Sequence, residues 1–130
     1  MKKGFSLLEL IFAIVVIGII ASFAIPKYLD TRDDAVASTI QRDLATATTS
    51  IQTYYLTKRS ISDISDAVQL NTANWTLDNT KLIMTSKNGN GCAKLTIANE
   101  KITINIDTNE DICSKLSNLG VTDGTEINLI

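Results

Sequence analysis

Glu9 is the one charged side chain in an apolar run from Phe5 to Ile25, and Lys2, Lys3 and a Gly4–Phe5 junction stand before that run. A carboxylate inside a membrane-length helix costs about 2.5–3.5 kcal/mol on insertion scales, so such a group ordinarily has a functional partner. Phe5 and Glu9 are four residues apart and share one face of a helix. The plainer alternative is that Glu9, close to the start of the run, snorkels to the membrane surface. The Gly4–Phe5 junction carries a second chemical signal. An ordinary secretory signal is cut after its apolar stretch, at small residues. Here the junction precedes the stretch and no A-x-A-like site follows Ile25, so the apolar helix is expected to stay in the mature chain.

Other chemistry is sparse. The chain has no histidine, which removes the commonest general base and the commonest zinc ligand. Its serines therefore have no histidine to activate them, and no enzymatic site is expected. Asp107-Thr108-Asn109-Glu110-Asp111 begins like a calcium loop, but Ile112 and Asn118 stand where an EF-hand needs Gly and Glu. A solvated acidic loop is the reading there and around Asp123 and Glu126, with a looser calcium site as the alternative. Asn88-Gly89-Asn90-Gly91 lacks the Lys-Ser/Thr of a phosphate loop and reads as a turn. No cofactor and no metal are expected. From Arg59 onward six basic and nine acidic side chains give a balance of −3, a poor footprint for nucleic-acid binding. Cys92 and Cys113 make an even pair beyond the apolar segment; they read as one disulfide, with two buried free thiols as the alternative.

The elements that must carry these residues follow from periodicity. The 21-residue run from Phe5 to Ile25 makes a helix of roughly 32 Å, about one bilayer core. Lys2 and Lys3 place the N-terminus on the cytoplasmic side and the remainder outside. Beyond the run, Tyr28, Leu29, Val36, Ile40, Leu44, Ala47, Ile51 and Tyr55 recur in steps of mostly three and four. Arg32, Asp33, Gln41, Arg42, Asp43 and Gln52 occupy the other face. One helix is therefore expected from about Phe5 to Lys58. Its first half suits lipid, and the stripe of its second half needs a protein surface. Gly18 and Pro26 weaken the helix, since Gly costs about 1 kcal/mol relative to Ala and Pro removes a backbone hydrogen bond. Ser60 or Ser62 is expected to cap a short helical turn. Strands are expected at 81–85, 94–98 and 101–106, with a tight turn at Asn99-Glu100, and a short helix at 112–119 stopped by Gly120. The fold class is α+β: a long N-terminal helix packed on a small antiparallel sheet, with Trp75 in the core or against the helix.

The segment Lys3-Gly4-Phe5-Ser6-Leu7-Leu8-Glu9-Leu10, the apolar helix behind it and Pro26 resemble the type IV pilins and type II secretion pseudopilins. The resemblance is specific over about the first thirty residues; beyond them it is one of architecture. It implies that a prepilin peptidase cuts between Gly4 and Phe5 and that the new N-terminus of Phe5 is N-methylated. It implies that the amine of Phe5, in the same chain or a neighbour, pairs with Glu9 and fixes the axial register of an assembly. It also implies that the stretch around Gly18 and Pro26 can loosen on assembly; a static kink is the alternative. The organisation it implies is a leader at 1–4, a transmembrane and assembly helix at 5–26, an amphipathic continuation at 27–58 and a small extracytoplasmic part at 59–130. The expected function is a structural subunit of a type IV pilus or of a secretion or DNA-uptake pseudopilus. Its partners would be copies of itself, other pilin-like subunits, the prepilin peptidase, the assembly platform of a bacterial inner membrane and the bilayer. A membrane-anchored binding module that never polymerises is the alternative. The major secretion pseudopilins often bind calcium near the C-terminus, whereas the late cysteine pair looks more like the disulfide-bounded region of pilus pilins.

Overall fold

The computed structural model describes Gly4 and residues 6–130, apart from the side chains of Pro26, Leu29 and Asp30. Helix α1 spans Leu7–Lys58, and the chain divides into two compact units, Met1–Arg32 and Asp33–Ile130, so α1 contributes to both.

In the first unit α1 is apolar over Leu7–Ile25 apart from Glu9 and Ser22, and Leu7, Leu8, Phe12 and Phe23 there are at least 70% exposed. The helix continues through Gly18 and Pro26. Proline has no N–H to offer the carbonyl four residues earlier, at Ser22. Tyr28, the first member of the expected stripe, is exposed.

In the second unit the stripe becomes a core. Ala37, Ile40, Leu44, Ala47, Ile51 and Tyr55 are buried and cluster with residues of a five-stranded antiparallel sheet. The strands are β1 (Trp75–Leu77), β2 (Ile83–Ser86), β3 (Ala93–Ala98), β4 (Lys101–Ile106) and β5 (Thr125–Asn128), paired in chain order as a meander. Leu95 and Ile97 on β3 and Ile102, Ile104 and Ile106 on β4 fill the inner face, as their alternation predicts. Asn99 and Glu100 both take positive φ, 54° and 61°, the conformation that a two-residue type I′ hairpin demands. Two strands lie beyond the expected three. β1 is only three residues long and sits in a polar stretch; β5 alternates half-buried and exposed residues over four positions. Neither is long enough to show a period in the sequence.

Local chemistry sets the boundaries. Arg59 takes a left-handed φ of 63° and its N–H reaches the Tyr55 carbonyl at 2.7 Å, which ends α1. The next cap is Asp63, rather than Ser60 or Ser62. It accepts the Ser65 N–H at 2.9 Å and starts α2 (Ile64–Ala67). Lys81, expected in a strand, has a positive φ of 61°, so β2 starts two residues later. α3 (Asp111–Asn118) ends before Gly120, whose φ of 94° a side chain would resist.

Among the described residues, several polar ties join α1 to the rest of this unit. Asp43, expected on the solvated face, accepts the indole N–H of buried Trp75 at 2.8 Å. The Gln41 side-chain amide donates to the Leu119 carbonyl at 3.1 Å, and Lys115 of α3 pairs with Asp34 at 2.8 Å. Burial, and after it the charge of Glu100, pushes the Tyr55 hydroxyl above its usual value.

Hydrogen bonds from Ser65 hold the Asp63 carboxyl below its ordinary value of 3.8, and the Thr80 hydroxyl does the same for Asp78. A depressed carboxyl favours the folded state above the unfolded value, and this contribution is lost as pH falls through the folded value. Acid titration followed by Trp75 fluorescence should therefore show stability falling below about pH 3.8. The double variant Asp63→Asn, Asp78→Asn should show a shallower acid limb; an unchanged limb would remove these two groups from the account.

Cys92 and Cys113 form a disulfide that joins the chain just before β3 to α3 across a separation of 21 residues. Both cysteines are buried. A loop of about this length contributes roughly 3 kcal/mol by restricting the unfolded chain. Replacing both cysteines by Ala should lower Tm by roughly 12–24 °C in thermal melts of the detergent-solubilised protein, at about 4–8 °C per kcal/mol for a domain of this size. A shift of a few degrees would show that the sheet and α1 hold the unit without the bridge.

Candidate processing and assembly site

The start of α1 is built by two side chains. The Ser6 hydroxyl accepts the Glu9 N–H at 3.1 Å, and the Glu9 carboxylate oxygen Oε2 accepts the Ser6 N–H at 3.1 Å. This reciprocal pair is a capping box, which satisfies two backbone donors that a helix start would otherwise leave open. The signal was in the sequence, since Ser6-Leu7-Leu8-Glu9 is a Ser-x-x-Glu immediately before an apolar run. Reading Glu9 only as a buried acid misses it. The box also places a negative charge in the first turn, where the helix dipole favours it.

The segment that follows, Leu7–Ile25, is 19 residues long and apolar enough to cross a membrane. At 1.5 Å per residue it spans about 28 Å, close to a hydrocarbon core. Glu9 thus sits at one end of a rod whose remaining surface is hydrocarbon.

Phe5 and residues 1–3 lie outside the described residues, and with them the N-methylation position and one side of the expected cleavage bond. Gly4 is described. It is exposed, and a Cβ added there would meet nothing within 4 Å. The chain's own packing therefore gives no reason for glycine at this position. Gly18 is alike: a Cβ there would also meet nothing within 4 Å. Pro26 lies within α1, its side chain outside the described residues.

The acidic loops are engaged locally. Asp123 accepts the Ile106 N–H at 2.9 Å, Glu126 pairs with Lys101 at 3.6 Å, and Asp107 accepts the Asn109 N–H at 3.0 Å. Among the described residues no group of three or more His, Cys, Asp or Glu side chains is placed to hold a metal ion. An apolar opening beside α1 in the second unit has a volume of about 390 Å³ and is lined by Leu44, Thr48, Ile104, Val121 and Ile127. No acid or base lines it.

Comparison with known proteins agrees with the N-terminal chemistry. Residues 1–25 match the family described as "Prokaryotic N-terminal methylation motif". No curated protein and no solved structure matches the chain. The matched segment takes in the Gly4–Phe5 junction, the Ser6–Glu9 capping box and the whole apolar rod. The first 25 residues therefore carry the N-terminal methylation motif that is the signature of type IV pilins and pseudopilins.

Proposed function

We propose that this chain is a structural filament subunit. A prepilin peptidase removes residues 1–4 and the amine of Phe5 is methylated. Residues 5–26 hold the subunit in the inner membrane and then pack against copies of themselves. Residues 27–58 continue the helix, and residues 59–130 form the extracytoplasmic part with it. The filament is a type IV pilus or a pseudopilus of secretion or DNA uptake, built by an assembly platform in the membrane. The methylated amine of Phe5, in the same or a neighbouring subunit, neutralises Glu9 and sets the register. The segment around Gly18 and Pro26 yields as subunits enter the filament.

The observation that carries this reading is a glutamate fixed in the first turn of a bilayer-length helix with no other charge, behind a Gly–Phe junction. A simple anchor gains only a helix cap from that acid, and glutamine would close the same cap without bringing a charge into the apolar helix. Filament recovery from cells making the wild-type chain or Glu9→Ala is the direct test. A membrane-anchored binding module that never polymerises would yield no filament from either.

A further inference from the structure

Two Asn-Gly pairs, Asn88-Gly89 and Asn90-Gly91, lie back to back in the loop between β2 and β3. Asparagine is a chemically labile residue. The backbone nitrogen that follows it can reach its side-chain carbonyl carbon, and glycine has no side chain to block that approach. We propose that Asn90 is a site of spontaneous deamidation in the folded chain and that Asn88, two residues away, is protected. The site stands whether or not the chain polymerises.

The Gly91 nitrogen gives up its proton and bonds to Cγ of Asn90. The side-chain nitrogen leaves as ammonia, and a five-membered imide remains. Water then opens the ring at one of its two carbonyl carbons. Opening at Cγ gives aspartate in a normal chain. Opening at the main-chain carbonyl gives isoaspartate, which puts one extra methylene into the backbone. Nothing is oxidised or reduced, and water is the co-reactant. Either product adds a negative charge close to the Cys92–Cys113 disulfide.

The surroundings separate the two asparagines. Ring closure turns the peptide between asparagine and glycine, so the asparagine carbonyl and the glycine must swing together. At Asn88 that peptide is held. Its carbonyl accepts the Ser86 hydroxyl at 3.0 Å, and buried Ser86 is itself fixed by accepting the Ala93 N–H at 3.2 Å. Gly89 lies against the disulfide, where an added Cβ would stand 2.6 Å from the Cys92 sulfur. Asn88 is half-buried, whereas Asn90 is exposed and takes a left-handed φ of 55°. Among the described residues no hydrogen bond reaches the Asn90 carbonyl. The nearest atom to a Cβ at Gly91 would be the Thr85 methyl, at 3.1 Å. Turning the Asn90 peptide therefore takes a small local opening, while turning the Asn88 peptide breaks the seat of the disulfide loop.

The test uses the full chain in detergent with its disulfide intact, incubated in mildly acidic and mildly alkaline buffer. Peptide mass spectrometry reads the gain of about 1 Da at each asparagine and the share of isoaspartate. Asn90 should react about ten-fold faster than Asn88, roughly the factor that one lost hydrogen bond is worth. The reaction should be faster in the alkaline buffer, because the glycine nitrogen must lose its proton. Once the chain is unfolded and reduced, the two sites should react at similar rates. Asn90→Gln should remove the gain at position 90 and leave Asn88 slow. Equal rates in the folded chain, or a faster Asn88, would overturn the protection. A folded chain that gains no mass at Asn90, while the unfolded chain does, would overturn the site itself.

Discussion

Glu9→Ala should leave a chain that inserts, loses its leader and forms no filaments. The direction of each effect follows from where the acid sits. Removing a carboxylate from an apolar helix lowers the cost of insertion by up to about 2.5–3.5 kcal/mol, so the variant cannot fail for want of membrane insertion. The globular unit, Asp33–Ile130, contains none of the substituted atoms and keeps its core. What disappears is the one group in Leu7–Ile25 able to attract a cation, and with it any preference among axial positions of a hydrocarbon rod. Hydrocarbon surfaces slide past one another at little energetic cost, whereas an ion pair in a low-dielectric setting has a steep distance dependence. The measurement is filament recovery by shearing and electron microscopy, with membrane fractionation to confirm that the monomer is present. Normal filaments from Glu9→Ala would remove the register mechanism.

The second large effect is expected at Gly4. Gly4→Leu should stop leader removal and leave the full-length chain in the membrane. Two facts make this a clean test. A Cβ at position 4 would meet nothing within 4 Å, so no steric damage to the fold is expected. The first helical residue is Leu7, capped by Ser6, so the substitution lies outside the helix and outside its cap. A requirement for glycine at an uncrowded position therefore points to an enzyme whose cleft must close over the backbone there. If, as proposed, processing frees the amine of Phe5, Gly4→Leu should also abolish filaments while Glu9 and its capping box remain. Electrophoresis of membrane fractions would show the uncleaved species. Normal trimming of Gly4→Leu would place the cut elsewhere.

The parts of the fold that could be read from sequence are those with a long or distinctive period. The stripe from Val36 to Tyr55 announces a helix with one buried face, and the structure buries Ile40, Leu44, Ala47, Ile51 and Tyr55 as that stripe requires. The alternation in 94–98 and 101–106 announces β3 and β4, and the turn between them forms at Asn99-Glu100 although it lacks glycine. Strands β1 and β5 escape because three or four residues cannot establish a period of two; tertiary pairing to β2 and β4 decides them. Asp43 escapes for a different reason. It lies among Gln41, Arg42 and other polar residues, and only its partner Trp75, 32 residues away, shows that its face is not simply solvated. The cap at Asp63 competes with Ser60 and Ser62, which are of similar capping strength, and local sequence does not choose among them. At the N-terminal site the sequence offers the Gly4–Phe5 junction and the isolated acid. The Ser6–Glu9 box was equally visible as a four-residue pattern, but the more conspicuous reading of Glu9 as a membrane acid obscured it.

Mass spectrometry of the protein recovered from membranes and filaments tests the central claim most directly. A mature chain that begins at Phe5, carries one added methyl group on its N-terminus and retains the whole Leu7–Ile25 segment is the predicted result. A chain that still begins at Met1, or that begins beyond Ile25, would contradict it.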